Sequence, residues 1–173
     1  TAQPRRVKVG KPRPPVILYT DGACEEFMSC GGVVFEEAQK PPLCFGSRVP
    51  ADMEGMWRSM GVKHAVLQSE LLPILVARLT FPEILRDRDV VLFIDNEGAR
   101  EALVHGNLRS LSCLRLLAAV CEEEIALGAR TWYARVPSES NLADEPSRLS
   151  FEFLRNFEGG RRVEPVWPAL NRV

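Results

Sequence analysis

Histidine is scarce in this chain and paired cysteine motifs are missing. His64 and His105 are the only histidines, and Cys24, Cys30, Cys44, Cys113 and Cys121 form no Cys-x-x-Cys pair, which argues against a zinc site. An odd cysteine count in a chain of this length points to a reducing compartment, nuclear or cytoplasmic rather than secreted, with most of the thiols serving as small apolar groups. No apolar stretch approaches the roughly 20 residues that cross a bilayer. The start, Thr-Ala-Gln-Pro-Arg-Arg, has no apolar run behind it, so a secretory signal is not expected either. Internal repeats and low-complexity tracts are also lacking. Because the first residue is not Met, the chain is expected to be a segment of a longer protein.

What is present suits one globular domain with tails: 173 residues, 46% of them hydrophobic, with a mean hydropathy of −0.08. Charge is unevenly placed. Residues 1–15 carry Arg5, Arg6, Lys8, Lys11 and Arg13 and no acid, so against −1 for the whole chain a net −6 falls on residues 16–173. Phosphate contacts supply most of the affinity of nucleic-acid binders, so an acidic body needs metal ions, its basic arm or an attached partner to hold a polyanion. The same fifteen residues contain Pro4, Pro12, Pro14, Pro15 and Gly10, the composition of an extended arm or linker.

Val16–Thr20 is a short apolar run ended by Asp21-Gly22, and Gly31–Phe35 and Leu43–Val49 follow at hairpin spacing, which predicts a three-stranded antiparallel meander. Residues 50–61 show no clean period and read as a loosely packed connection. Between Lys63 and Leu79 the apolar positions Val66, Leu67, Leu71, Ile74, Leu75 and Leu79 recur at helical spacing. Pro73 requires that this helix start near Leu67–Glu70 or be kinked just beyond Glu70. Asp89–Ile94 predicts a buried central strand, Asn96–His105 a short helix stopped by Gly106, and Leu111–Leu127 a longer helix stopped by Gly128. Leu114, Leu117, Ala118, Cys121 and Ile125 share a stripe on the longer helix. Ala129–Val136 predicts a last strand, residues 137–141 a loop and Leu142–Arg148 a helical turn; the sequence after Ser150 gives no clear element.

Four acids stand at positions where such elements meet: Asp21 in Tyr-Thr-Asp-Gly-Ala, Glu70 in Gln-Ser-Glu-Leu-Leu, Asp95 in Phe-Ile-Asp-Asn, and Asp144 in Asn-Leu-Ala-Asp-Glu-Pro-Ser-Arg. Singly, each has an ordinary explanation: a turn residue at Asp21, a helix cap at Asp95, a helix-start charge at Asp144. Jointly, their order suits convergence on one site, because parallel pairing of the first and fourth strands would set Asp21 beside Asp95. Hard carboxylates on separate elements are the ligands magnesium prefers.

These residues, together with Gly31-Gly-Val-Val-Phe and the ending Arg135-Val-Pro-Ser-Glu-Ser-Asn-Leu-Ala-Asp-Glu-Pro-Ser-Arg148, resemble the ribonuclease H domain that follows the reverse transcriptases of retroelements. The resemblance spans about residues 16–148, with 1–15 as an arm and 149–173 as a C-terminal tail. It implies an α/β, ribonuclease H-like fold, a mixed five-stranded sheet of three antiparallel and then two parallel strands with helices on both faces. It also implies a hydrolase, an endonuclease cutting the RNA strand of RNA–DNA hybrids. Asp21, Glu70, Asp95 and Asp144 would be the catalytic ligands of two Mg2+ ions, replaceable by Mn2+, and Gly22, Ala23 and Asn96 would contact substrate. A covalently linked reverse transcriptase domain is the implied partner.

Two departures from the cellular family stand out. Residues 137–143, just before the last acid, contain no histidine and only Glu139 as a titratable group. No basic, Trp-containing protrusion lies between Gly106 and Gly128. A catalytically silent scaffold of the same fold in a larger nucleoprotein or polymerase assembly is the competing expectation. His64 and His105 read as surface or capping residues, Trp57, Trp132 and Trp167 as packing anchors, and Arg109 and Arg115 as candidate phosphate contacts.

Overall fold

A computed structural model describes residues 13–62 and 64–173; the expected basic arm lies almost wholly outside the described residues. One sheet runs through the molecule in the order β5-β4-β1-β2-β3-β6. Its first half is the expected meander, β1 (Val16–Cys24), β2 (Met28–Phe35) and β3 (Leu43–Arg48), paired antiparallel. Strand β4 (Asp89–Ile94) joins β1 in parallel, and β5 (Arg130–Arg135) joins β4 in parallel. Strand β4 is buried on the face of Val90, Leu92 and Ile94, while Val91 and Phe93 on the other are only partly covered, so it is not the strand buried on both faces that its apolar run predicts. The sheet has six strands rather than five. The additional one, β6 (Arg161–Arg162), comes from the unassigned C-terminal segment and pairs in parallel with Leu43 and Cys44. Two arginines carry no apolar alternation, so nothing in their pattern announced a strand.

Residues 50–61 are not a loose connection. They form α1 (Ala51–Ser59), which inserts Met53 and Trp57, each 1% exposed and one turn apart, into the main core. The helix α2 (Val66–Thr80) then crosses one face of the sheet with an unbroken buried run from Gln68 to Arg78. A short α3 (Pro82–Leu85) leads into β4, and α4 (Glu97–His105) follows it, capped by Asn96 and ended by Gly106 at a positive φ of 67°. Asn96 Oδ1 accepts the Ala99 N–H at 3.0 Å, so Asn96 rather than Asp95 satisfies this helix start.

The long helix α5 (Leu111–Leu127) ends at Gly128, also left-handed, as its sequence signalled. Its buried face differs from the stripe read in the sequence. Cys113, Leu116, Leu117, Ala119, Val120 and Leu127 pack inward, and of the predicted stripe only Leu117 is covered. A helix with two apolar faces has no unique stripe, and the sequence alone chose the wrong one.

The opposite sheet face is covered at β2 and β3 by the C-terminal segment. Val33 and Cys44 pack with Phe153, and Phe35, Phe157 and Phe153 form successive edge-to-face ring pairs. Beyond β6 the chain returns to the helical side, where Thr80 Oγ1 accepts the Val166 N–H, Arg172 meets Glu122 and Glu123, and Val173 is fully buried. Of the three tryptophans, Trp57 is an anchor, Trp167 packs partly on the core and Trp132 on β5 is 73% exposed. Cys30, Cys44 and Cys113 are buried, whereas Cys24 and Cys121 are exposed.

Candidate active site

Register places the first two acids. Tyr19 pairs with Phe93 across the parallel β1–β4 ladder, so two residues further along both chains Asp21 stands beside Asp95 at the point where β4 ends. Asp21 itself is not at a strand end. The strand continues to Cys24 in a hairpin with β2, with Asp21 opposite Gly31. Glu70 arrives from α2, and one carboxylate oxygen from each of Asp21, Glu70 and Asp95 lies within 4.8 Å of the others.

The approach of α2 to β1 explains the glycine of the Thr-Asp-Gly motif. Pro73 has no N–H to give the Ser69 carbonyl, which is left pointing at β1, and a Cβ on Gly22 would sit 2.0 Å from that oxygen. Any side chain at 22 would push α2, and with it Glu70, away from Asp21.

A second pair of glycines admits the last element of the site. Gly31 on β2 pairs with Gly46 on β3, and a Cβ on either would collide with the backbone of α6 (Asp144–Ser147): 2.4 Å from the Ser147 nitrogen at Gly31, 2.2 Å from the Pro146 oxygen at Gly46. The bare sheet here lets α6 lie flat on it. Asn141 ties down the preceding loop, donating from Nδ2 to the Thr20 carbonyl at 3.2 Å and accepting the Ala143 N–H at 3.1 Å. Ser147, wholly buried, donates from Oγ to Asp21 Oδ2 at 2.5 Å, while its carbonyl accepts the Ser29 hydroxyl at 2.6 Å.

Asp144 lies outside the three-carboxylate group. Its half-exposed side chain pairs with Arg148 at 3.1 Å, and Arg148 also contacts Glu25 near the β1–β2 turn. It remains close enough for its charge to act on Asp21. Among the residues expected to meet substrate, Gly22 is closed over by Ser69, Ala23 is partly exposed on the outer part of β1, and Asn96 spends Oδ1 on its helix. Sequence reasoning missed the supporting roles of Ser147, Asn141, Ser29, Gly31 and Gly46. Asn141 and Ser147 lie inside the motif around Asp144, and their burial is what the sequence could not display.

Electrostatically the cluster is uncompensated. Burial raises the Glu70 carboxyl to about 8, with Asp21 and Asp95 adding like-charge repulsion. Burial likewise raises Asp21 to about 6, opposed by the Ser147 hydrogen bond and reinforced by Asp95 and Asp144. Among the described residues no basic side chain offsets either group. Asp95 Oδ1 is buried without a hydrogen-bond partner, a costly state for a carboxylate oxygen. An all-oxygen donor set, crowded, short of cations and holding an orphaned acceptor, fits a hard divalent ion.

No family model matches the sequence, and no curated protein sequence does either. Solved structures match its fold. The N-terminal RNase H domain of a Mycobacterium tuberculosis protein aligns at TM-score 0.53 and 14% identity, covering 82% of this chain and 96% of that one. An RNase H1 named LC11, solved in complex with RNA/DNA hybrid, aligns at 0.54 and 14% identity over 80% and 97%. RNase H1 of Halobacterium salinarum aligns at 0.50 and 17% identity over 78% and 98%. The antiparallel β1–β2–β3 half, the parallel β1–β4–β5 half and these alignments together give the chain the ribonuclease H-like fold.

Proposed function

We propose that this chain is a metal-dependent endonuclease that hydrolyses the RNA strand of RNA–DNA hybrids. The observation that carries the reading is the convergence of Asp21, Glu70 and Asp95 at the β1–β4 rim, the first two buried and Asp95 partly so, mutually repelling and without a cation among the described residues. In this reading the three hold Mg2+, or Mn2+ in its place, two ions being the number suited to phosphodiester cleavage, and Asp144 joins from the outer side of the site. Divalent ions in such a site supply activation of the attacking water and stabilisation of the departing 3′ oxygen.

The chain's own residues arrange the rest. Ser147 donates to Asp21 Oδ2, so Oδ1 would be the oxygen left to hold an ion. Gly22 and Pro73 set how closely Glu70 approaches, and the Gly31–Gly46 pair fixes the depth of α6 and therefore of Ser147 and Asp144. Hybrid recognition would rest on groove shape and 2′-hydroxyls met by the backbone at Ala23 and by the Asn96 amide nitrogen, with Gly22, covered by Ser69, serving to seat α2 instead. The net charge of −6 on residues 16–173 supports a role beside a covalently linked polymerase domain, as in retroelement reverse transcriptases, rather than tight binding by this domain alone.

The test is incubation of the chain, alone and fused to a reverse transcriptase polymerase domain, with labelled RNA–DNA hybrid, duplex DNA and duplex RNA in Mg2+ or Mn2+. Cleavage of hybrid RNA alone, lost in Asp95→Asn and in chelator, is the expected result. A fusion that binds hybrid and cuts nothing supports the scaffold reading instead.

A further inference from the structure

The outward face of α5 carries three large exposed aliphatic residues and two charged ones, Arg115 and Glu122. Its exposed residues are Leu111, Leu114, Arg115, Ala118, Cys121, Glu122, Ile125 and Ala126; Leu111 is 59% exposed, Leu114 38% and Ile125 76%. A helix lying on a sheet ordinarily turns polar residues to water, and a contiguous apolar face marks a contact surface. The remaining acids of the helix are engaged elsewhere, Glu124 with Arg78 and Glu123 with Arg172. Leu111, Leu114, Ala118, Cys121 and Ile125 recur at alternating steps of three and four, the spacing that keeps a seam facing a second helix.

The seam is complementary to itself when turned end for end. Leu114 lies near one end and Ile125 near the other, with the small residues Ala118 and Cys121 between them, so an antiparallel copy sets Leu114 against Ile125 and Ala118 against Cys121. The only charges on the face then fall in register, Arg115 opposite Glu122 of the second copy and the reverse, as a two-fold interface requires. A parallel copy would instead place like beside like. Glu122 touches Arg172 at 3.3 Å yet stays 70% exposed, open to a partner. We propose that this face binds a second copy of the chain, α5 against α5 in antiparallel orientation, forming a two-fold dimer on the helical side of the sheet. One helix face is smaller than the about 800 Å² per partner of a standard stable interface, so the dimer forms and dissociates with concentration.

Sedimentation velocity of the full chain over a wide concentration series tests this, with circular dichroism confirming that each variant stays folded. The wild type is expected to pass from monomer to dimer, and Leu114→Glu and Ile125→Glu to stay monomeric throughout. Arg115→Glu and Glu122→Arg should each weaken self-association several-fold, and an equimolar mixture of the two should dimerise again, because each then meets the opposite charge. A wild type that is monomeric at every concentration overturns the proposal, as does a dimer indifferent to both Leu114→Glu and Ile125→Glu. A mixture no stronger than the two single variants overturns the antiparallel register, and capture of a different protein by a monomeric chain overturns the choice of a second copy.

Discussion

Replacing Glu70 by Gln should abolish any metal-dependent activity and yet stabilise the metal-free fold. Folding moves this carboxyl from its ordinary 4.5 to about 8. Between those values the folded protein holds a proton that the unfolded chain has released, so stability without metal falls as pH rises through that window and levels off above about 8. At about 1.4 kcal/mol for each tenfold change in proton affinity, the cost is roughly 3 kcal/mol at pH 7 and somewhat more at pH 8. Sharing of the repulsion with Asp21, itself raised to about 6, trims this, and about 2–3 kcal/mol is the working figure. A glutamine cannot ionise and escapes the cost. For a chain of this size about 2–4 °C accompanies each kcal/mol, so Glu70→Gln should melt roughly 5–10 °C higher than wild type in chelator at pH 8, with the gap closing toward pH 5. The assay is thermal unfolding by circular dichroism from pH 5 to 8.5, with and without Mg2+; saturating Mg2+ should lift the wild type and leave the variant nearly unmoved. A variant that melts at or below the wild type across the whole range in chelator would refute the account of the cluster as strained and cation-seeking.

Gly22→Ala should destabilise the fold by about 2–4 kcal/mol in urea unfolding, since the added Cβ meets the Ser69 oxygen at 2.0 Å and α2 must shift. Ser147→Ala should cost about 1–3 kcal/mol by removing the hydrogen bond to a buried carboxylate, and calorimetry should show Mg2+ affinity reduced several-fold, with Ser147→Thr recovering part of it if the methyl is accommodated. Trp57→Ala should cost about 3–5 kcal/mol in the same unfolding assay, as expected of a core residue rather than one in a loose connection.

Boundaries marked by backbone chemistry were legible in the sequence. Gly106 and Gly128 closed α4 and α5 because helix ends need a left-handed residue, and the acids after Val16–Thr20 and Asp89–Ile94 revealed the β1–β4 rim because parallel pairing aligns them. What stayed hidden depends on burial and on long-range contact. Met53 and Trp57 are one turn apart in a nine-residue helix, too short for its period to stand out around Gly55. The α5 stripe misled because the helix is apolar on two sides and only packing distinguishes them. The hydroxyl of Ser147 reaches Asp21 from 126 residues away, through a fit that two glycines on other strands permit.

Anomalous diffraction from crystals of the chain soaked in Mn2+ shows whether the β1–β4 rim holds a cation. A peak is expected among the Asp21, Glu70 and Asp95 carboxylates, with Asp95 Oδ1 as one of its ligands. Ordered carboxylates with no peak between them at saturating Mn2+, or a peak confined to other acids, would contradict that expectation.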